Sequence, residues 1–80
     1  MNNASQKIVE KLSLIVESRR KQIGLSQEGL AGVADIDRTY VSQIARAKAN
    51  PSLEVLCKIA IALDLSVAQL LGEVEIPPQK

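Results

Sequence analysis

Five small polar residues divide this chain into five short runs, and the apolar spacing within each reads as helix. Ser5, Ser26, Asp37, Ser52 and Ser66 each stand just before a run whose apolar residues recur at helical spacing. A side-chain oxygen at such a position accepts from the unpaired N–H groups of a first helical turn, so each reads as an N-cap. Gly24 and Gly72 stand just past the ends of two runs, where left-handed backbone closes a helix. No stretch carries the period-two alternation of a strand.

The first helix is predicted from about Ser5 to Ile23. Ile8, Leu12, Ile15 and Arg19 share one stripe, and Val9, Val16 and Ile23 recur beside it every seven residues, a run too short for a coiled coil. The second follows Ser26, with Gln27 and Glu28 in its first turn, and reaches about Ala34. Its apolar face is Leu30, Ala31 and Ala34, and Gly29 and Gly32 each cost it about 1 kcal/mol relative to Ala, so packing must hold it. In the turn Asp35-Ile36-Asp37, Asp35 tolerates the left-handed region and Ile36 points inward. The third helix runs from about Arg38 to Ala47 on a buried face of Val41 and Ile44, with Tyr40 at the core's edge. After the loop Lys48-Ala49-Asn50-Pro51, the fourth turns Leu53, Leu56, Ile59, Ala60 and Leu63 inward, and Cys57 reads as a small core hydrophobe. The fifth holds Val67, Leu70 and Leu71 and stops at Gly72. The reading is an all-α, compact five-helix domain over residues 5–72, with a short tail over 73–80.

The counts exclude much chemistry. Among 80 residues there is no His, one Cys and one aromatic residue. That leaves no His-Cys zinc site, no Ser-His-Asp triad, no Cys-His pair and no intramolecular disulfide. With no paired carboxylates on a shared face either, the expectation is no enzyme, no metal and no cofactor. So small a core leaves little room for a small-molecule ligand. No apolar run nears the roughly 20 residues that span a bilayer, and the N-terminus lacks a signal peptide's apolar stretch, so a cytoplasmic protein is expected. Formal net charge is +1, which alone argues against a nucleic-acid binder. The distribution argues otherwise: residues 1–50 carry eight basic and five acidic side chains, residues 51–80 two basic and four acidic.

Residues 26–46 are the informative unit. Two short capped helices flank a tight turn, and the second exposes hydrogen-bonding side chains with no acidic member after its cap. That is a helix-turn-helix, whose second helix enters the DNA major groove. Arg38, Thr39, Ser42 and Gln43 lie along one side of the third helix. Arg can bond guanine O6 and N7 bidentately, Gln can do so to adenine, and a Thr methyl can pack on thymine. The plain alternative is the polar side that every soluble helix has. Gln27 opens the second helix, where backbone N–H groups favour an anion, or it merely supports the helix start. Arg46, Lys48 and Asn50 surround the following loop, and Lys48 is otherwise a solvated lysine. The Tyr40 hydroxyl reaches water or phosphate. Arg19 and Lys21 read as a solvated helix end. The competing function is an antitoxin-like partner or other protein-interaction module.

Leu25-Ser26-Gln27-Glu28-Gly29-Leu30-Ala31, Asp37-Arg38-Thr39-Tyr40-Val41-Ser42-Gln43-Ile44, Asn50-Pro51-Ser52-Leu53, Ile59-Ala60-Ile61-Ala62-Leu63 and Leu70-Leu71 resemble the Cro/repressor-type helix-turn-helix domain over about residues 8–72. The stretch Asp37 to Ser42 is especially similar to controller proteins of restriction–modification systems, and it also occurs in other small regulators. The resemblance implies a lambda-repressor-like fold and a homodimer on a palindromic operator in double-stranded DNA. By family position Gln27 contacts phosphate, Arg38, Thr39, Ser42 and Gln43 face the bases, and Arg46, Lys48 and Asn50 lie at the backbone. Dimerisation in the controller subgroup uses the last helices, here Val67, Leu70, Leu71, Val74 and Ile76. Three alanines depart from the pattern. Ala45 replaces the usual Glu, so Arg20 is expected to lack its partner and reach solvent or phosphate. Ala47 stands at or near a usual Gly and is expected to be strained. Ala49 replaces a frequent Arg.

Overall fold

A computed structural model describes residues 3–72 of the chain. Five helices follow in order: α1 (Asn3–Gln22), α2 (Gln27–Ala34), α3 (Arg38–Ala45), α4 (Leu53–Leu63) and α5 (Val67–Leu71). Four of the five expected caps are in place. Ser26 accepts from the Gly29 N–H at 2.8 Å and Asp37 from the Thr39 N–H at 2.7 Å. Ser52 accepts from the Val55 N–H at 3.2 Å and Ser66 from the Gln69 N–H at 3.0 Å. The Gln69 side chain in turn accepts from the Ser66 N–H at 2.8 Å, completing a capping box. Ser5 is the exception. Nothing breaks the chain between Asn3 and Ser5, so α1 starts earlier and Ser5 sits inside its first turn.

The first four helices end alike. Gly24, Asp35, Ala47 and Asp64 adopt left-handed backbone, with φ of 80°, 57°, 56° and 57°. The N–H one residue further on then returns to a carbonyl five residues back. Leu25 donates to Arg20, Ile36 to Ala31, Lys48 to Gln43 and Leu65 to Ala60, at 2.8–3.0 Å. In α3 this closure comes early. The helix ends at Ala45 rather than Ala47, because Ala47 is the left-handed residue.

The core is aliphatic, as the near-absence of aromatic residues requires. Leu12 and Val16 of α1, Leu30 of α2, Val41 and Ile44 of α3, Ile59 and Leu63 of α4 and Leu70 of α5 are all sealed from solvent. α2 packs on α3 and α4, while α1 lies across α3 and α5. Polar ties cross the same seams. The Ser13 hydroxyl donates to the Ala45 carbonyl at 2.6 Å, and Arg19 Nε donates to the Leu63 carbonyl at 2.9 Å. Arg19 is therefore no solvated helix end. It satisfies a C-terminal carbonyl of α4 that the helix itself cannot.

Leu53 and Cys57, assigned inward, lie instead on the outer side of α4, and Ile23, expected to close the first helix, stands exposed just past the end of α1. α4 is apolar almost all round, so spacing alone cannot choose its buried face. Ile59, Ala60 and Leu63 are the residues it buries.

Candidate nucleic-acid interface

The geometry of the site follows from two caps and one turn. The Asp35 turn brings the start of α3 beside the start of α2. Ser26, Gln27 and Glu28 from α2, with Arg38, Thr39 and Ser42 from α3, line one open cleft of about 440 Å³. The sequence singles out every member of this group except Glu28 as part of the site or its cap. Arg38, Thr39 and Gln43 are exposed and Ser42 is half-buried. Val41 and Ile44, on the opposite face, are locked into the core. The helix is thus fixed in rotation, and its polar side stands outward. No acidic residue follows the cap in its first turn.

Gln27 is the first residue of α2 and is half-buried at the cleft wall. Arg46, Lys48 and Asn50 are exposed around the end of α3. The Arg46 Nε lies 3.5 Å from the Ser42 carbonyl, too long to hold the guanidinium firmly. Tyr40 is half-buried against the core cluster, at the edge position expected of it. Ala49 is buried.

Arg20 is not left without a partner. Glu17, one turn earlier on α1, takes the role that Ala45 cannot fill. Arg20 Nε meets Glu17 Oε2 at 2.9 Å and Nη2 meets Oε1 at 3.0 Å, a bidentate fork. Arg20 Nη1 donates to the Leu25 carbonyl at 2.7 Å. The hydrogen bond from Arg20 holds the Glu17 carboxyl below its ordinary range, assisted by the Arg20 charge and by Gln27, against the opposing effect of burial. Arg20 is held above its ordinary value by the same hydrogen bond.

The residues expected at a dimer contact divide. Leu70 is fully buried within this chain's own core and has no surface to offer a second copy, which corrects its assignment. Val67 and Leu71 are half-buried. Val74 and Ile76 lie outside the described residues. A second apolar set, outside that expectation, stands exposed on α4. Leu53 is 69 % exposed, Ile61 81 %, and Cys57 lies exposed midway between them. Their i, i+4, i+8 spacing is the available signal. Among the described residues no helix is long and apolar enough to cross a membrane.

Residues 16–70 match the helix-turn-helix family. The control protein C.MunI of a Mycoplasma species is 40 % identical over 57 residues, spanning 71 % of this chain and 77 % of that protein. The control protein C.SmaI of Serratia marcescens is 41 % identical over 64 residues, or 80 % and 76 % of the two chains. The crystal structure of the restriction–modification controller protein C.AhdI from Aeromonas hydrophila superposes with a TM-score of 0.73 at 36 % identity, covering 79 % of this chain and 94 % of that one.

Proposed function

This chain belongs to the helix-turn-helix family of transcription regulators, and on that premise we propose that it binds a palindromic operator as a homodimer and serves as the controller of a restriction–modification system. One observation carries the reading. The buried pair Val41 and Ile44 turns Arg38, Thr39, Ser42 and Gln43 outward beside the start of α2. In the proposed complex α3 lies in the major groove. Arg38 bonds guanine, Gln43 bonds adenine, and Thr39 and Ser42 supply methyl contact and shorter hydrogen bonds. Gln27, Tyr40, Arg46, Lys48 and Asn50 hold the phosphate backbone and fix the register. A two-fold axis sets the two copies of α3 about 34 Å apart, one DNA turn.

The likeness to C.MunI, C.SmaI and C.AhdI supports the narrower role, since those proteins are controllers by name. Footprinting on the DNA upstream of the chain's own gene tests it. A protected palindrome is expected, and no protection would sink the reading. On that site Arg38→Ala should cost about 1–3 kcal/mol and relax discrimination at one base pair. Lys48→Ala should weaken binding to every sequence and lower the salt slope by about one. An Arg38→Ala protein that discriminates like its parent would remove direct readout by that residue.

A further inference from the structure

The pair that replaces the missing Ala45 partner reaches further than α1. Arg20 and Glu17 side chains are only 11 % and 22 % exposed, and every guanidinium nitrogen of Arg20 is engaged. One of those bonds ends on the Leu25 carbonyl, immediately before the α2 cap. From the other side, Gln27 Nε2 approaches Glu17 Oε1 at 3.5 Å. The Leu25 carbonyl, Arg20, Glu17 and Gln27 therefore form one chain of polar contacts ending at the first residue of α2.

We propose that Glu17 and Arg20 are positioning residues for the phosphate contact made by Gln27, a statement that rests on the DNA-binding reading above. The chemistry fits the task. A carboxamide has two N–H donors. Glu17 draws one of them at the long limit of a hydrogen bond, 3.5 Å, and biases the orientation of the group, and the second is left to donate to a phosphate oxygen. A glutamine side chain otherwise loses considerable rotamer freedom when it is ordered, and this contact takes part of that loss before DNA arrives. A bare carboxylate beside a phosphate would repel it. The Arg20 fork neutralises Glu17, so the two residues work only together. The bond to Leu25 meanwhile pins the turn that aims the α2 N–H groups.

A double-mutant cycle read by DNA affinity tests this. The probe is a fluorescein-labelled duplex from the footprinted DNA upstream of the gene. Gln27→Ala should weaken the parent by about five- to tenfold, the loss of one hydrogen bond. In a Glu17→Ala background the same change should cost less than about twofold, because Gln27 is already unfixed. Arg20→Lys keeps the charge and loses the fork, and should behave like Glu17→Ala. Glu17→Met keeps the length of the side chain but removes both acceptor oxygens, and supplies a second variant should Glu17→Ala melt too low. An equal loss from Gln27→Ala in all backgrounds would overturn the positioning role and leave the phosphate contact standing. Gln27→Ala without effect in the parent would remove the phosphate contact and this proposal with it. A purely structural Glu17 would lower the melting temperature yet leave the Gln27 effect whole.

Discussion

Ala47 closes α3 with φ of 56°, a conformation that ordinarily asks for glycine. A Cβ in left-handed backbone costs about 1–2 kcal/mol. Glycine escapes that cost but adds about 0.4–1 kcal/mol of unfolded-chain freedom. Strain outweighs entropy, so Ala47→Gly should stabilise the protein by about 0.5–1 kcal/mol. A thermal melt reads this as a rise of a few degrees for a domain of this size. A lowered Tm would contradict left-handed backbone at this position. Asp35 and Asp64 hold the same geometry, and their short polar side chains tolerate it better. Strain at Ala47 is expected from the family resemblance, which puts a glycine at or near this position, and not from the residues alone. Gly72 combines two constraints. Its φ of 65° strains any L side chain, and a Cβ there would also meet Ile15 Cδ1 at 2.8 Å, a side-chain end that would have to shift, so glycine suits the end of α5 against α1.

α1 and α2 are joined by a turn and by the Glu17–Arg20 pair, and that joint is acid-sensitive. The hydrogen bond from Arg20 lowers the folded-state pKa of Glu17 below its ordinary 4.5. A depressed carboxyl contributes stability that is full above the unfolded pKa and lost as pH falls through the folded one. The loss therefore begins below about pH 4.5 and deepens toward pH 3. Both side chains keep some solvent contact, which limits the effect to about 0.5–1 kcal/mol. Glu17→Gln should unfold at lower urea than the parent at pH 7, and the gap should narrow at pH 3. A gap of equal size at both pH values would show that the carboxylate charge contributes nothing. The joint also marks where sequence reasoning stops. Ser26, Asp37, Ser52 and Ser66 are legible because a cap acts within its own turn. The helix-turn-helix follows because two caps, one turn and the Val41–Ile44 spacing already set the face of α3. Arg20 is not legible in the same way. Several residues could answer its charge, and only packing brings Glu17 into the fork while the Leu25 carbonyl takes the third donor. α4 defeats the reading for the opposite reason. Leu53, Leu56, Cys57, Ile59, Ala60, Ile61 and Leu63 give apolar choices on every side, and contact with α2 and α5 decides among them.

At the scale of the molecule, the segregated charge and the exposed apolar stripe belong together. The basic excess lies in residues 1–50, which contain α1, α2 and α3, and the acidic excess in 51–80. Leu53, Cys57 and Ile61 lie on the outside of α4 within that second part, with Glu54 and Lys58 following Leu53 and Cys57 along the helix. A homodimer needs a self-complementary patch, and a stripe laid across its own copy about a two-fold axis satisfies that need. Ile61 is the sharpest probe because it is 81 % exposed and therefore contributes little to the core. With the axis along α4, Ile61→Asp would place a charge opposite its own copy and remove the apolar contact. The folded monomer should survive with a stability change within about 0.5 kcal/mol, as for other surface substitutions. Sedimentation should then show the parent as a dimer and Ile61→Asp as a monomer. DNA binding should weaken together with it, because half of the phosphate contacts leave each complex and the salt slope falls in proportion. If Ile61→Asp sediments as the parent dimer does, the axis does not run along α4. The half-buried Val67 and Leu71 of α5 then become the surface on which to place it.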